Sequence, residues 1–174
     1  MTGRLRVPVD AYMLLERDGK LLMLRRSPGA AYAAGLLCPP SGHVDEGETV
    51  SDAAIREAAE ETGVKLAPDL VRCVTVVHHR GPGGQARIGW FFAAAPGWDG
   101  DPVNQEPTQH SELAWIDPAD PPEDLVAYTW AGLRAWQAGA PYAIHFQEPG
   151  SPVRYEPGHE DELTLLGRPP SGER

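Results

Sequence analysis

Cysteine is scarce, cations are outnumbered, and no apolar run approaches the length that crosses a bilayer. Cys38 and Cys73 are the cysteines of a 174-residue chain. Two are too few for a disulfide framework, and neither has partners at zinc-ligand spacing, so two reduced, buried thiols are expected. The first residues, Met1-Thr2-Gly3-Arg4-Leu5-Arg6, run straight into an alternating apolar segment, without the apolar stretch of a signal peptide. A cytoplasmic protein with no membrane partner is the expectation. Lys and Arg number 15 against 25 Asp and Glu, a formal charge of −10. That deficit opposes binding to long nucleic acid, which depends on clustered cations. It does not oppose a small phosphorylated ligand, because bound divalent ions reverse the local charge.

What is present suits one packed domain. Hydrophobic residues make up 41% of the chain, near the globular norm. Val7 to Leu15 reads as a strand, and a turn at Arg17-Asp18-Gly19 leads to the apolar run Leu21-Leu22-Met23-Leu24, which together predict a hairpin. Ser27 to Gly35 reads as a loop, and Leu36 to Pro39 as a short strand closed by Pro39-Pro40-Ser41-Gly42. A strong helix is predicted over Val50 to Thr62, with Thr49 or Glu48 at its start and Gly63 at its stop. Val71 to His79 and Ile88 to Ala94 read as strands joined by Gly81-Pro82-Gly83-Gly84. A further short strand falls around Leu113 to Ile116. Leu125 to Ala138 reads as a helix, with Val126, Trp130, Leu133 and Trp136 at near-helical spacing. Residues 1–140 are expected to form the domain, and residues 141–174, rich in Pro, Gly and acid, an extended or disordered tail. The mixture of hairpins and helices predicts an α/β class with a mixed sheet sandwiched between helices.

The chemistry concentrates in Gly42 to Val64, GHVDEGETVSDAAIREAAEETGV. On a helix, Glu57, Glu60 and Glu61 share one face, while Ala54, Ile55, Ala58, Ala59 and Thr62 occupy the other. Carboxylates at i, i+3 and i+4 repel by a few tenths of a kcal/mol per pair, and no lysine between Val50 and Val64 relieves them. Such oxygen clusters suit Mg²⁺ or Mn²⁺, which bridge to phosphate. Arg56 and Glu48 read as groups that orient the ligands, and the Gly42 carbonyl as a possible further ligand. An isolated acidic triple is most often a solvated face. This one lies within a longer pattern.

That stretch is similar to the Nudix box, G-x5-E-x7-R-E-U-x-E-E-x-G-U with U apolar. Gly42, Glu48, Arg56, Glu57, Ala58, Glu60, Glu61, Gly63 and Val64 match it at each fixed position. The chain thus resembles the Nudix hydrolases over roughly residues 6 to 138, departing mildly where Ser41 replaces a customary glycine. The resemblance implies an α/β/α sandwich, and Glu57, Glu60 and Glu61 as ligands of Mg²⁺ or Mn²⁺. It implies metal-assisted hydrolysis of a phosphoanhydride, with a carboxylate taking the proton of the attacking water. Glu57 or Glu60 is one source of that base. Glu106 and Glu112, outside the box, are others, and Glu106 is also a candidate metal ligand. Arg25 and Arg26 are candidates for phosphate, Tyr12 and Trp90 for a nucleobase, and His79 for substrate.

The layout looks most like the mutator-type branch, which implies a nucleoside triphosphate, canonical or oxidised, cut to monophosphate and pyrophosphate. ADP-ribose or a nucleotide sugar is the alternative substrate, a non-catalytic nucleotide sensor the alternative class. RNA decapping is disfavoured by the charge. The family often dimerises, so a homodimer is expected.

Overall fold

A computed structural model describes Arg4, residues 6–158 and residues 162–167. The chain builds a six-stranded mixed sheet in the order β10-β9-β6-β7-β1-β5, beside a smaller sheet centred on β3. The strands are β1 (Val9–Leu14), β2 (Glu16–Arg17), β3 (Lys20–Arg26), β4 (Leu37–Cys38), β5 (Ser41–His43), β6 (Val71–Arg80), β7 (Ala86–Ala94), β8 (His110–Ile116), β9 (Tyr142–Phe146) and β10 (Leu163–Leu166). The helices are α1 (Val50–Thr62) and α2 (Ala127–Gln137). β1 runs parallel to β7 and β6 parallel to β9, and the other pairings are antiparallel.

Strand alternation makes the sandwich. Ala11, Met13 and Leu15 join Phe92, Ala94 and the Ala53, Ala54 and Ala58 stripe of α1 in one apolar cluster. Tyr12 and Leu14 turn the other way, into a cluster with Phe91, Val77 and the α2 residues Tyr128, Trp130 and Leu133. The α/β sandwich with a mixed sheet is therefore the observed architecture.

Helix α1 begins and ends where its sequence signals stand. The Thr49 hydroxyl accepts the Asp52 N–H at 3.2 Å, and Gly63 adopts φ 75° while donating to the Ala59 carbonyl. A cap of this kind stabilises a helix by about 1 kcal/mol.

Two expectations need correction. Residues 7–15 and 21–24 do not form one hairpin. β1 lies in the large sheet between β7 and β5, whereas β3 pairs with β2, β4 and β8. The chain changes sheets at Leu15, whose carbonyl accepts the Leu22 N–H, so only the two-residue β2 turns back on β3. Residues beyond 140 are not a loose tail either. β9 lies along β6 and β10 along β9. Helix α2 has no side-chain cap at Val126, and the Val153 carbonyl instead accepts the Ala127 N–H at 2.8 Å. Tyr155 stacks on Trp130 at 5.0 Å. The late segment thus completes the helix start and the sheet edge, two needs that composition does not reveal. The part of the tail call that falls on residues 159–161 and 168–174 lies outside the described residues.

His79 and His145 sit face to face across β6 and β9, both buried, with their Nδ1 atoms 3.1 Å apart. Burial pushes His79 down to about 3, helped by the neighbouring His145, and pushes His145 down to about 4, while Glu162 pulls the latter up. Both rings are neutral in the folded protein. The unfolded chain takes up protons below its ordinary pKa of 6.5, so this pair withdraws stability as pH falls from about 6.5 towards 4. Histidine NMR should accordingly show neither ring titrating between pH 8 and 5. A midpoint near 6.5 for either would contradict the burial.

Candidate active site

The site is assembled where the C-terminal half of α1 crosses the β5 edge. Gly42 pairs with Ala11 at that edge, and a Cβ on Gly42 would overlap the Glu57 carboxylate. Glycine is needed because the carboxyl group rests directly on the backbone. Arg56 then gathers the surrounding acids. It makes a two-point contact with Glu48, Nε to Oε2 at 3.1 Å and Nη2 to Oε1 at 2.7 Å. Its Nη1 donates to Glu57 at 2.7 Å and to Glu60 at 3.0 Å, and its Nη2 to the His43 carbonyl at 3.1 Å. Glu48 in turn accepts the Asp45 N–H at 2.9 Å, so one guanidinium ties the β5–α1 loop to the helix.

The three helix acids are graded in depth. The Glu60 side chain is 52% exposed, Glu57 14% and Glu61 7%. Glu61 accepts the Ser41 N–H at 2.9 Å. Burial raises its carboxyl well above the usual range despite that bond, and nearby Glu57 and Glu106 raise it further. Burial likewise raises Glu57, against the pull of Arg56. Protein groups alone therefore leave these carboxylates short of positive charge.

A loop from β7 to β8 closes over the helix end. The N–H groups of Val103 and Gln105 donate to the Thr62 and Glu61 carbonyls at 2.9 and 3.0 Å, taking up acceptors a helix terminus leaves open. This brings Glu106 and His110 to Glu61. One ligand atom from each of the three lies within 4.8 Å of the others. Oxygen and imidazole donors at that spacing, beside underneutralised acids, fit a divalent cation.

The remaining predicted residues are spread out. Arg25 is occupied by Glu112 at 2.7 Å, Asp124 at 2.6 Å and the Gly35 carbonyl at 2.9 Å. It buttresses β3, and neither it nor Glu112 joins the acid cluster, which corrects the phosphate and base assignments for this pair. Arg26, pointing the other way along the strand, donates to the Tyr32 carbonyl, and its charge is felt at Glu61 and His110. Tyr12 stacks on Phe91 at 4.4 Å and is core, unavailable to a base. Trp90 packs on the α1-side cluster. His79 is buried against Tyr128 and His145, correcting its reading as a substrate contact.

Sequence reading missed His110 and a second polar group. Asp10, 3% exposed, receives His43 Nδ1 at 2.7 Å and Arg87 Nη1 at 2.9 and 3.0 Å. An acid inside an apolar strand was the available signal for it. His110 gave less, since β8 begins before its apolar run.

These features coincide with a known family. The NUDIX domain model matches residues 4–136. The chain belongs to the Nudix family. It is 32% identical over 138 residues to an RNA pyrophosphohydrolase of Erythrobacter litoralis, a match covering 71% of this chain and 83% of that one. The MutT NUDIX hydrolase structure from Burkholderia pseudomallei superposes with a TM-score of 0.66 at 30% identity, over 74% of this chain and 97% of that one. A MutT protein structure from Bacillus halodurans reaches 0.68 over 94% of this chain and all of that one. At 15% identity the latter shows the fold alone. This Nudix protein is a pyrophosphatase-type hydrolase acting on a nucleotide-linked substrate. Nudix hydrolases use divalent metals, and the acid cluster can hold one.

The contact of Gly42 with Glu57 makes a direct test. Gly42→Ala should destabilise the protein by about 1–3 kcal/mol, the usual cost of overpacking. In a Glu57→Ala background the same change should cost far less, as read by urea denaturation. Equal costs in both backgrounds would show that the two residues do not compete for space.

Proposed function

We infer that this Nudix hydrolase cuts a nucleoside triphosphate to the monophosphate and pyrophosphate by attack of water at phosphorus, a mutator-type activity that extends to oxidised or otherwise modified bases. The observation that carries the reading is the acid set of α1, complete at Glu57, Glu60 and Glu61 and held by Arg56 and Glu48. A non-catalytic nucleotide sensor has no need of such a set.

Glu57, Glu60, Glu61 and Glu106 would hold Mg²⁺ or Mn²⁺, with the Gly42 carbonyl as a further donor. The ions supply charge neutralisation of the diphosphate and acidify water. Arg56 and Glu48 orient the helix carboxylates. Arg26, whose charge is felt at Glu61 and His110, is the candidate phosphate contact. A glutamate of the set takes the proton of the attacking water. Glu57 or Glu60 is the candidate for that base. Substrate identity rests on groups other than the box carboxylates, and Asp10, Arg87 and His43 form a polar set on neighbouring strands.

A second reading is favoured by one observation. The Erythrobacter litoralis relative is named an RNA pyrophosphohydrolase, which makes a 5′-triphosphorylated RNA end a substrate to weigh. The −10 charge opposes a long RNA. ADP-ribose and nucleotide sugars complete the field.

Purified protein and a Glu60→Gln, Glu61→Gln variant should be incubated with Mg²⁺ and canonical and oxidised dNTPs, ADP-ribose, nucleotide sugars and a short triphosphorylated RNA. Release of monophosphate and pyrophosphate from a dNTP, abolished by EDTA and lowered at least 100-fold in the variant, is expected. Preference for the RNA would replace the substrate assignment. Binding of a nucleotide without turnover of any substrate would overturn the enzymatic one.

A further inference from the structure

His110 stands against the acids but has no role in the hydrolysis described above. Its side chain is 5% exposed, and its Nε2 lies 3.4 Å from Glu61 Oε1, long for a charge-assisted hydrogen bond. Its Nδ1 is buried with no hydrogen-bond partner among the described residues. A buried imidazole so poorly partnered is unusual, since interior polar groups are normally satisfied.

The backbone around it is fully engaged. His110 N–H donates to the Glu106 carbonyl at 2.9 Å, and the Asn104 amide donates to the His110 carbonyl at 2.7 Å. The Glu106 N–H donates to Asn104 Oδ1 at 3.1 Å. With Gln105 anchored on Glu61 of the helix, the backbone of this loop fixes where the imidazole and both carboxylates stand. Donors bonded to one cation at about 2.0–2.3 Å lie no more than about 4.6 Å apart. The ligand atoms of this trio lie within 4.8 Å of one another, close to that limit.

We propose that His110 is a nitrogen ligand, alongside Glu61 and Glu106, of one divalent cation, and that it biases this position towards first-row transition ions over Mg²⁺. The proposal rests on the cation-dependent reading of the acid cluster and adds a donor the Nudix box does not contain. Mg²⁺ favours an all-oxygen octahedron and keeps its waters, whereas imidazole strengthens the hold on transition ions. Two carboxylates and one imidazole form the mixed set that separates them.

Mn²⁺ is the probe, because pulsed electron paramagnetic resonance reads nitrogen bound to it directly. The full chain loaded with Mn²⁺ should show nitrogen modulation, which changes pattern when histidine is ¹⁵N-labelled. His110→Gln should abolish that modulation while still taking up Mn²⁺, with affinity lower by on the order of tenfold and Mg²⁺ affinity little changed. Mn²⁺ bound to the wild type without nitrogen modulation would overturn the proposal, independently of how the variant folds. Modulation that survives His110→Gln would overturn it as well. Failure of the wild type to take up Mn²⁺ at all would remove the cation-dependent reading together with the proposal.

Discussion

Negative charge crowded around a single guanidinium is the constraint on which the site depends. Glu48, Glu57 and Glu60 all bond Arg56, and Glu61 lies deeper with one backbone N–H to offset its burial. Paired charges at this depth gain from attraction but lose hydration, so an unevenly matched set is held at a cost. The fold accepts that cost by fixing the acids from both sides. The β5 edge supplies the Gly42 backbone beneath Glu57 and the Ser41 N–H to Glu61. The β7–β8 loop supplies donors to the last carbonyls of α1 and adds Glu106. What the described residues do not supply is enough positive charge, which is the condition a divalent cation answers.

The rest of the architecture can be understood as support for that edge. β1 pairs with β5 on one side and β7 on the other, so the alanine face of α1 packs on a strand adjacent to the one that carries the β7–β8 loop. The smooth Ala53, Ala54 and Ala58 stripe lets the helix axis come close to the sheet. On the opposite face, α2 and the late strands cover Tyr12, Phe91 and Val77. Tyr12, which looks suited to a base, is consumed there by packing, and Trp90 packs on the α1 side, which moves the search for specificity to Asp10, Arg87 and His43.

Local signals made α1 legible, since Thr49, Gly63 and the 3.6-residue pattern all lie within one stretch. The box carboxylates were legible for the same reason. Pairing was not. The break at Leu15 depends on which strands β1 and β3 later meet, and those partners lie 79 to 95 residues away. β9 and β10 were hidden by a Pro- and Gly-rich composition that reads as a tail, although Val153 and Tyr155 close the start of α2. Arg25 illustrates the limit for single residues. Its position at a strand end suggested phosphate, and only the fold brings Asp124 and Glu112 within reach. Glu106, in contrast, was named as a base outside the box on the family resemblance and lies at the cluster, while His110 needed the loop geometry to be noticed at all.

If the acid cluster is short of positive charge, a cation that binds only the folded chain must stabilise it by mass action. The most direct measurement is the melting temperature against Mg²⁺ concentration, with NaCl at matched ionic strength as the reference. The account predicts a rise with the logarithm of Mg²⁺ that NaCl does not reproduce and that a Glu57→Gln, Glu61→Gln variant loses. Equal responses to both salts, or an undiminished Mg²⁺ response in the variant, would contradict it and leave Arg56 as sufficient counter-charge.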